Sequence, residues 1–213
     1  MATVITAGNA TNGLSLSADN VGAFEFKTGT GAGTTALTLS SAQVATFAGN
    51  VATPLGTLYP LVAGTAVAST SGTSIDFTSI PSWVDRITVM FSGVSTNGTS
   101  NLIIQIGSGS VTSTGYASTC TRTAGTLLQT TTATSGFLVN IANANNALFG
   151  AYTITLVSGF AYVEQGNSSD ATNAANYMSA GGVTLAGLLD RVRITTVNGT
   201  DTFDAGSINI LYE

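Results

Sequence analysis

Short runs in which apolar and polar residues strictly alternate recur along most of this chain, and they constrain its fold more than any other feature. Ile75-Asp76-Phe77, Ile87-Thr88-Val89-Met90-Phe91 and Ser207-Ile208-Asn209-Ile210-Leu211-Tyr212 each place every second side chain on one face. A period of two is the signature of a half-buried strand. The runs are parted by Gly, Ser, Thr and Asn, the residues that turn a chain, and no long stretch repeats with the period of an amphipathic helix. The one helical candidate, 170–178, is short and rich in Asn. Eight to ten strands at irregular spacing predict an all-β fold, an antiparallel β-sandwich of jelly-roll-like type.

The polar half of the pattern is unusual in being almost uncharged. Only 7% of the 213 residues are Asp, Glu, Lys or Arg; there is one lysine, Lys27, and no histidine. Hydroxyls and amides stand where charges ordinarily would. Such a surface hydrogen-bonds readily and repels its neighbours weakly, which suits a chain held in a permanent assembly. A net charge of -5 provides no basic face for phosphates, so no nucleic-acid partner is expected. Proton transfer and metal ligation draw on His, Cys and clustered carboxylates, and the pattern here predicts a protein that is not an enzyme and carries no cofactor or metal. The chain has a single cysteine, Cys120, so packing or partner chains must hold the fold together. Met1 to Ala10 lacks the basic start and apolar core of a secretory signal. No apolar run is long enough for a membrane span, so neither routine export nor membrane insertion is expected.

Along the chain, residues 1–52 form a first module. Leu14, Leu16, Phe24, Phe26, Leu37, Leu39, Val44 and Phe47 alternate in short pieces broken by Gly13, Asp19-Asn20 and Gly29 to Gly33. A segment this small, with no disulfide, cannot close a core of its own. These eight residues are therefore predicted to face sister chains or another protein, making the module one for attachment or oligomerisation. Residues 53–72 carry Pro54, Gly56, Pro60 and Gly64 and read as an extended connector docked through Leu58 and Tyr59. Residues 73–213 read as the sandwich. Within it, Ile80-Pro81-Ser82-Trp83 predicts a corner, Asn97-Gly98 and Asn198-Gly199 predict two hairpins, and 107–135 reads as loops with one or two lesser strands. Val84-Asp85-Arg86-Ile87-Thr88-Val89 is echoed by Leu189-Asp190-Arg191-Val192-Arg193-Ile194. Chance explains that echo, as would two facing strands entering from similar corners.

Few residues invite a chemical reading. Asp170, Asp201 and Asp204 could be gathered by loops around a hard cation, although their spacing matches no cation loop and turn roles account for them. Glu164, beside Tyr162 and Gln165, has the companions of a sugar-binding groove but equally those of a strand-end loop. Asp85-Arg86 and Asp190-Arg191 predict exposed ion pairs of small value.

The run Ala7-Gly8-Asn9-Ala10, with Leu37-Thr38-Leu39-Ser40-Ser41-Ala42-Gln43-Val44-Ala45-Thr46-Phe47-Ala48-Gly49-Asn50-Val51, resembles the N-terminal modules of tailed-bacteriophage fibres and other virion proteins. Ile75 to Val89 and Phe203 to Ile210 are similar to the β-sandwich domains of the same kind of protein. The resemblance implies a virion component made in the host cytoplasm, a homotrimer contacting other tail or capsid proteins. Its sandwich would be displayed outward toward host surface glycan or protein. The chain is short for a long-shafted fibre, which leaves a short tail or virion fibre on one hand and a capsid decoration or head-fibre protein on the other.

Overall fold

Every described element is a strand. The structure, a computed structural model, describes residues 24–28, 34–39, 42, 44–47, 51–53, 56–141 and 145–213. The chain divides into two units, residues 1–59 and 60–213. In the first, β1 (Phe24–Thr28), β2 (Thr34–Leu39) and β3 (Ala45–Phe47) form an antiparallel sheet, and β4 (Val51–Thr53) pairs with β5 (Gly56–Leu58).

The second unit is the sandwich. Its strands are β6 (Val62–Ala63), β7 (Val67–Ala68), β8 (Ser74–Thr78), β9 (Arg86–Thr96), β10 (Leu102–Ser108), β11 (Ser110–Val111), β12 (Ala117–Ala124), β13 (Leu127–Ala133), β14 (Phe137–Leu138), β15 (Leu148–Ser158), β16 (Ala161–Asp170), β17 (Ala175–Thr184), β18 (Arg191–Thr196) and β19 (Phe203–Tyr212). A nine-stranded sheet runs β13-β12-β17-β16-β15-β9-β19-β6, with β7 also on β19. A five-stranded sheet runs β11-β10-β18-β8, with β14 also on β10. All pairings are antiparallel. β6 and β7 come from the stretch that reads as connector, where Leu58 and Tyr59 are exposed.

The alternation that defines the strands also fills the core. Ile87, Val89 and Phe91 of β9, Tyr152 and Ile154 of β15 and Ile208 and Ile210 of β19 point inward from the large sheet. Ile75 and Phe77 of β8 and Val192 and Ile194 of β18 meet them from the small one. Leu102 to Ile106 is buried on both faces of β10, because the segment around Gly136 lies on its outer side. Gln105 Nε2 donates to the Ser135 carbonyl there at 2.8 Å, and a Cβ at Gly136 would press on Ile103. A strand covered on both faces reads as a continuous apolar run.

Both Asn-Gly dipeptides turn the chain, but neither closes a hairpin. β9 lies in the large sheet and β10 in the small one, and β18 and β19 are separated in the same way. The two loops cross between sheets and lock onto each other. Asp201 accepts from the Ser100 N–H at 2.9 Å and from Asn198 Nδ2 at 2.6 Å, while Asn97 Oδ1 accepts from the Thr202 N–H at 2.9 Å. The Asp201 carboxylate occupies the space a side chain at position 98 would need. Glycine at 98 thus serves a close approach, not the left-handed turn of a two-residue hairpin.

Two further expectations are corrected. Residues 170–178 contain no helix: Asp170 Oδ1 accepts from the N–H groups of Thr172 and Asn173 at 3.1 and 3.2 Å, tying a turn that leads into β17. From Ala175 onward burial alternates with a period of two. The stretch 107–135 holds, besides the two-residue β11, two full strands of eight and seven residues, β12 and β13, joined through Gly125-Thr126 with Gly125 at φ 59°. Positive φ at the first central position followed by an ordinary second residue is the type II′ hairpin turn.

Trp83 sits at the predicted corner, with the Val84 N–H donating to the Pro81 carbonyl and its ring 5.9 Å from that of Tyr212. The echoed segments open β9 and β18 at Arg86 and Arg191, in opposite sheets.

Candidate interaction surface

The inner face of the large sheet carries a seam of buried polar side chains, and most of it serves the backbone. Phe137–Leu138 is only a two-residue strand, so the main chain from 137 to 141 needs other partners. Ser118 Oγ accepts from the Leu138 N–H at 2.9 Å and the Tyr152 hydroxyl donates to the Val139 carbonyl at 2.5 Å, while the Asn140 side chain in turn serves β10, its Oδ1 accepting from the Leu102 N–H at 2.8 Å. Ser168 Oγ joins Tyr152 at 2.7 Å. Burial raises the Tyr152 phenol above its ordinary range and pushes that of Tyr116 up to about 12.

Glu164 belongs to this seam. It lies in mid-strand on the inner face of β16 with Tyr162, while Gln165 points outward, so the three do not form a sugar-binding groove. The residue is 2% exposed, and its carboxylate accepts from the Ser179 hydroxyl at 2.8 and 3.0 Å. Burial pushes its pKa up to about 7 against the opposing pull of Ser179. Cys120 is fully buried on the same face, its thiol pushed up to about 12, chiefly by burial and then by Glu164.

The three aspartates considered for a cation lie in separate settings. Asp170 holds the turn after β16, Asp201 holds the crossed Asn-Gly loops, and Asp204 accepts from Ser95. Among the described residues no three His, Cys, Asp or Glu side chains gather as a metal set. Arg191 pairs with Asp190 at 2.7 Å as expected, but Arg86 reaches Glu213 instead of Asp85.

The opposite, outer face of the large sheet is the broadest feature the sandwich presents. Register places Leu211, Thr88, Thr153, Gln165, Ala180, Thr119 and Thr132 in one row across seven strands. Asn209, Met90, Ala151, Asn167, Met178, Thr121 and Thr130 form the next. A third row holds Ser92, Phe149, Ser169, Asn176, Thr123 and Leu128. None of these residues is charged. At about 4.8 Å per strand, six steps make a face about 29 Å wide. An open depression of about 560 Å³ lies on it, lined by Ala151, Thr153, Gln165, Asn167, Met178 and Ala180. No single residue announces this face in the sequence, because its composition depends on which strands pair and in what register.

Of the eight residues predicted to face partners, Leu14 and Leu16 lie outside the described residues. The backbones of Phe24 and Phe26 pair in β1, opposite Leu39 and Leu37, and Leu37 in turn stands opposite Phe47 of β3. Leu37 is half-buried, Leu39 and Val44 are exposed, and Phe47 is 52% exposed. Comparison with protein-family models, with curated proteins and with solved structures finds no match.

Proposed function

We propose that this chain is a structural protein of a phage virion, a short tail or virion fibre whose β-sandwich contributes to host attachment. In this reading residues 1–52 assemble the chain as a homotrimer and join it to the particle. The observation that carries the proposal is the outer face of the nine-stranded sheet, three rows of hydroxyl, amide and apolar side chains without a charge. Hydroxyls and amides in regular array bond the hydroxyls of a neutral glycan or the backbone of a surface protein. Three copies on one axis would multiply weak single contacts.

A second reading, a capsid decoration or head-fibre protein, is favoured by the exposed Leu39 and Phe47 of the small N-terminal sheet, an apolar surface suited to resting on a capsid subunit. Gold-labelled antibody against the sandwich, applied to purified particles and viewed by electron microscopy, separates the two. Label at the tail supports attachment, and label spread over the head supports decoration. Particles without label overturn both.

A further inference from the structure

Sheet edges are where antiparallel proteins pair with unintended partners, and natural proteins keep them short, charged, bent or covered. Most edges of this sandwich follow the rule. At one side of the large sheet β6 and β7 are two residues each, with a break in the strand between Ala63 and Val67. In the small sheet β11 and β14 are also two residues each, and the edge strand β8 carries Asp76, paired with Arg193 at 2.7 Å.

β13 is different. It is a seven-residue edge strand, Leu-Leu-Gln-Thr-Thr-Thr-Ala, with no charge, glycine or proline, and it pairs with β12 in unbroken register. Leu128 is 70% exposed and Leu127 48%. The hairpin turn sets the hydrogen-bond alternation: Ala124 and Leu127 close it, so Leu128, Thr130 and Thr132 turn their N–H and C=O groups away from β12.

We propose that β13 is a pairing edge for β13 of a second copy of this chain, antiparallel about a two-fold axis at Thr130. Four features select that occupant. Centring on Thr130 pairs all three outward-facing residues of each copy, because Thr130 meets Thr130 and Leu128 meets Thr132. Chemistry matches across the axis as well, with Leu127 opposite Ala133 and Gln129 opposite Thr131. Neither β13 nor the outer face of β12 holds a charge, so like copies meet without repulsion. The other sheet edges, short or charged, do not offer a matching strand, which disfavours head-to-tail addition and leaves the self-complementary contact. The joined sheets would continue the uncharged outer rows from one copy into the next.

The pairing is independent of the virion reading and of how residues 1–52 assemble. If that module trimerises, β13 joins two trimers; if it does not, β13 makes a dimer. The test uses the full chain with Thr130→Cys. On a two-fold axis the introduced thiol faces its own counterpart at a Cα separation of about 5.5 Å, within reach of a disulfide or a short bismaleimide, and the buried Cys120 does not compete. Covalent dimer from Thr130→Cys, and none from Thr119→Cys one strand inward, is the expected result. Thr130→Pro provides the second measurement. It removes an N–H that β12 does not use and should halve the particle mass in light scattering while circular dichroism stays unchanged. Absence of the Thr130→Cys cross-link, together with a mass that Thr130→Pro leaves unaltered, would overturn the proposal.

Discussion

Replacing Glu164 by glutamine should make the sandwich more stable at neutral and mildly alkaline pH, and the structure sets the size of the effect. The carboxylate is buried between β16 and β17 with one hydroxyl donor, Ser179, and its neighbours on the same face, Cys120 and Tyr152, are kept neutral by burial. Its pKa is raised from 4.5 to about 7. Below the lower value both folded and unfolded chains hold the proton, and the group costs nothing through linkage. Between the two values the unfolded chain releases its proton while the folded chain keeps it, so stability falls as pH rises. Above about 7 both forms are ionised and the loss levels off at about 3 kcal/mol. Glutamine retains an acceptor for Ser179 but adds an amide N–H₂ to the interior, which offsets about 1 kcal/mol of the gain. The net expectation is about 2 kcal/mol in favour of Glu164→Gln at about pH 8, and parity or a slight deficit at about pH 4.

Urea unfolding at several pH values would measure this through the fluorescence of Trp83, the only tryptophan, which packs against the core beside Tyr212. The difference between variant and parent is the quantity to plot, because other carboxylates contribute equally to both. Asp190, held below the usual range by Arg191, gives a slope of the opposite sign: its contribution is present at neutral pH and is lost as pH falls. A difference that stays flat between about pH 4 and about pH 8 would refute the reasoning, since it would mean that the buried carboxylate ionises as readily in the folded chain as in the unfolded one.

Other expectations follow from single sites. Gly206→Ala places a side chain on a backbone at φ 91° and against the main chain of Gly93, so no rotamer change relieves it. A loss of about 3 kcal/mol, seen as a melting temperature lower by about 10 °C, is expected; an unchanged melting temperature would contradict the β9 to β19 contact. Cys120 should resist thiol reagents at mildly alkaline pH and react fully once guanidinium unfolds the chain, because its thiol is buried and pushed up to about 12. Rapid labelling of the native chain would show that the inner face of β12 opens. Phe47→Asp, at a residue half-exposed in the single chain, should leave the sandwich melting transition intact while lowering the oligomer mass assigned to residues 1–52. Retention of that mass would exclude Phe47 from the interface.

The all-β class was legible because period-two alternation reports which side chains share a face, and β9 shows the success plainly, with Ile87, Val89 and Phe91 all buried as the pattern requires. Pairing partners were not legible. Asn97-Gly98 and Asn198-Gly199 have the composition of hairpin turns, yet the decisive groups, Asp201, Ser100 and Thr202, come from the opposite loop and act only once both loops are in place. Local chemistry specifies a reversal of direction but not whether the chain stays in its sheet. The true hairpin at Gly125-Thr126 was hidden by its flanks, since a run of threonines interrupted by Cys120 and Arg122 shows weak apolar alternation. The one helical candidate, 170–178, is rich in Asn; its Asp170 carboxylate and Asn173 amide bond locally in the turn, the competition that draws such residues out of helices.

Glu164 and the outer rows illustrate opposite limits of the same kind. A lone glutamate among uncharged residues suggests a binding groove when its face is unknown. Once Tyr162 and Ser168 are seen to share its side of β16, the same residue becomes part of a seam that satisfies the irregular backbone at 137–141 and leaves one carboxylate over. The outer face has no such marker, because each threonine or asparagine is ordinary alone and only register sets them in rows. The scarcity of charge and the breadth of the sheet have one structural reading together. Several of the described charges are committed to ion pairs such as Arg86 with Glu213 and Arg193 with Asp76, or to the interior, as with Glu164 and Asp170. What the three outer rows present is a surface of hydroxyl, amide and apolar side chains. Association through it would therefore be governed by shape and copy number more than by ionic strength.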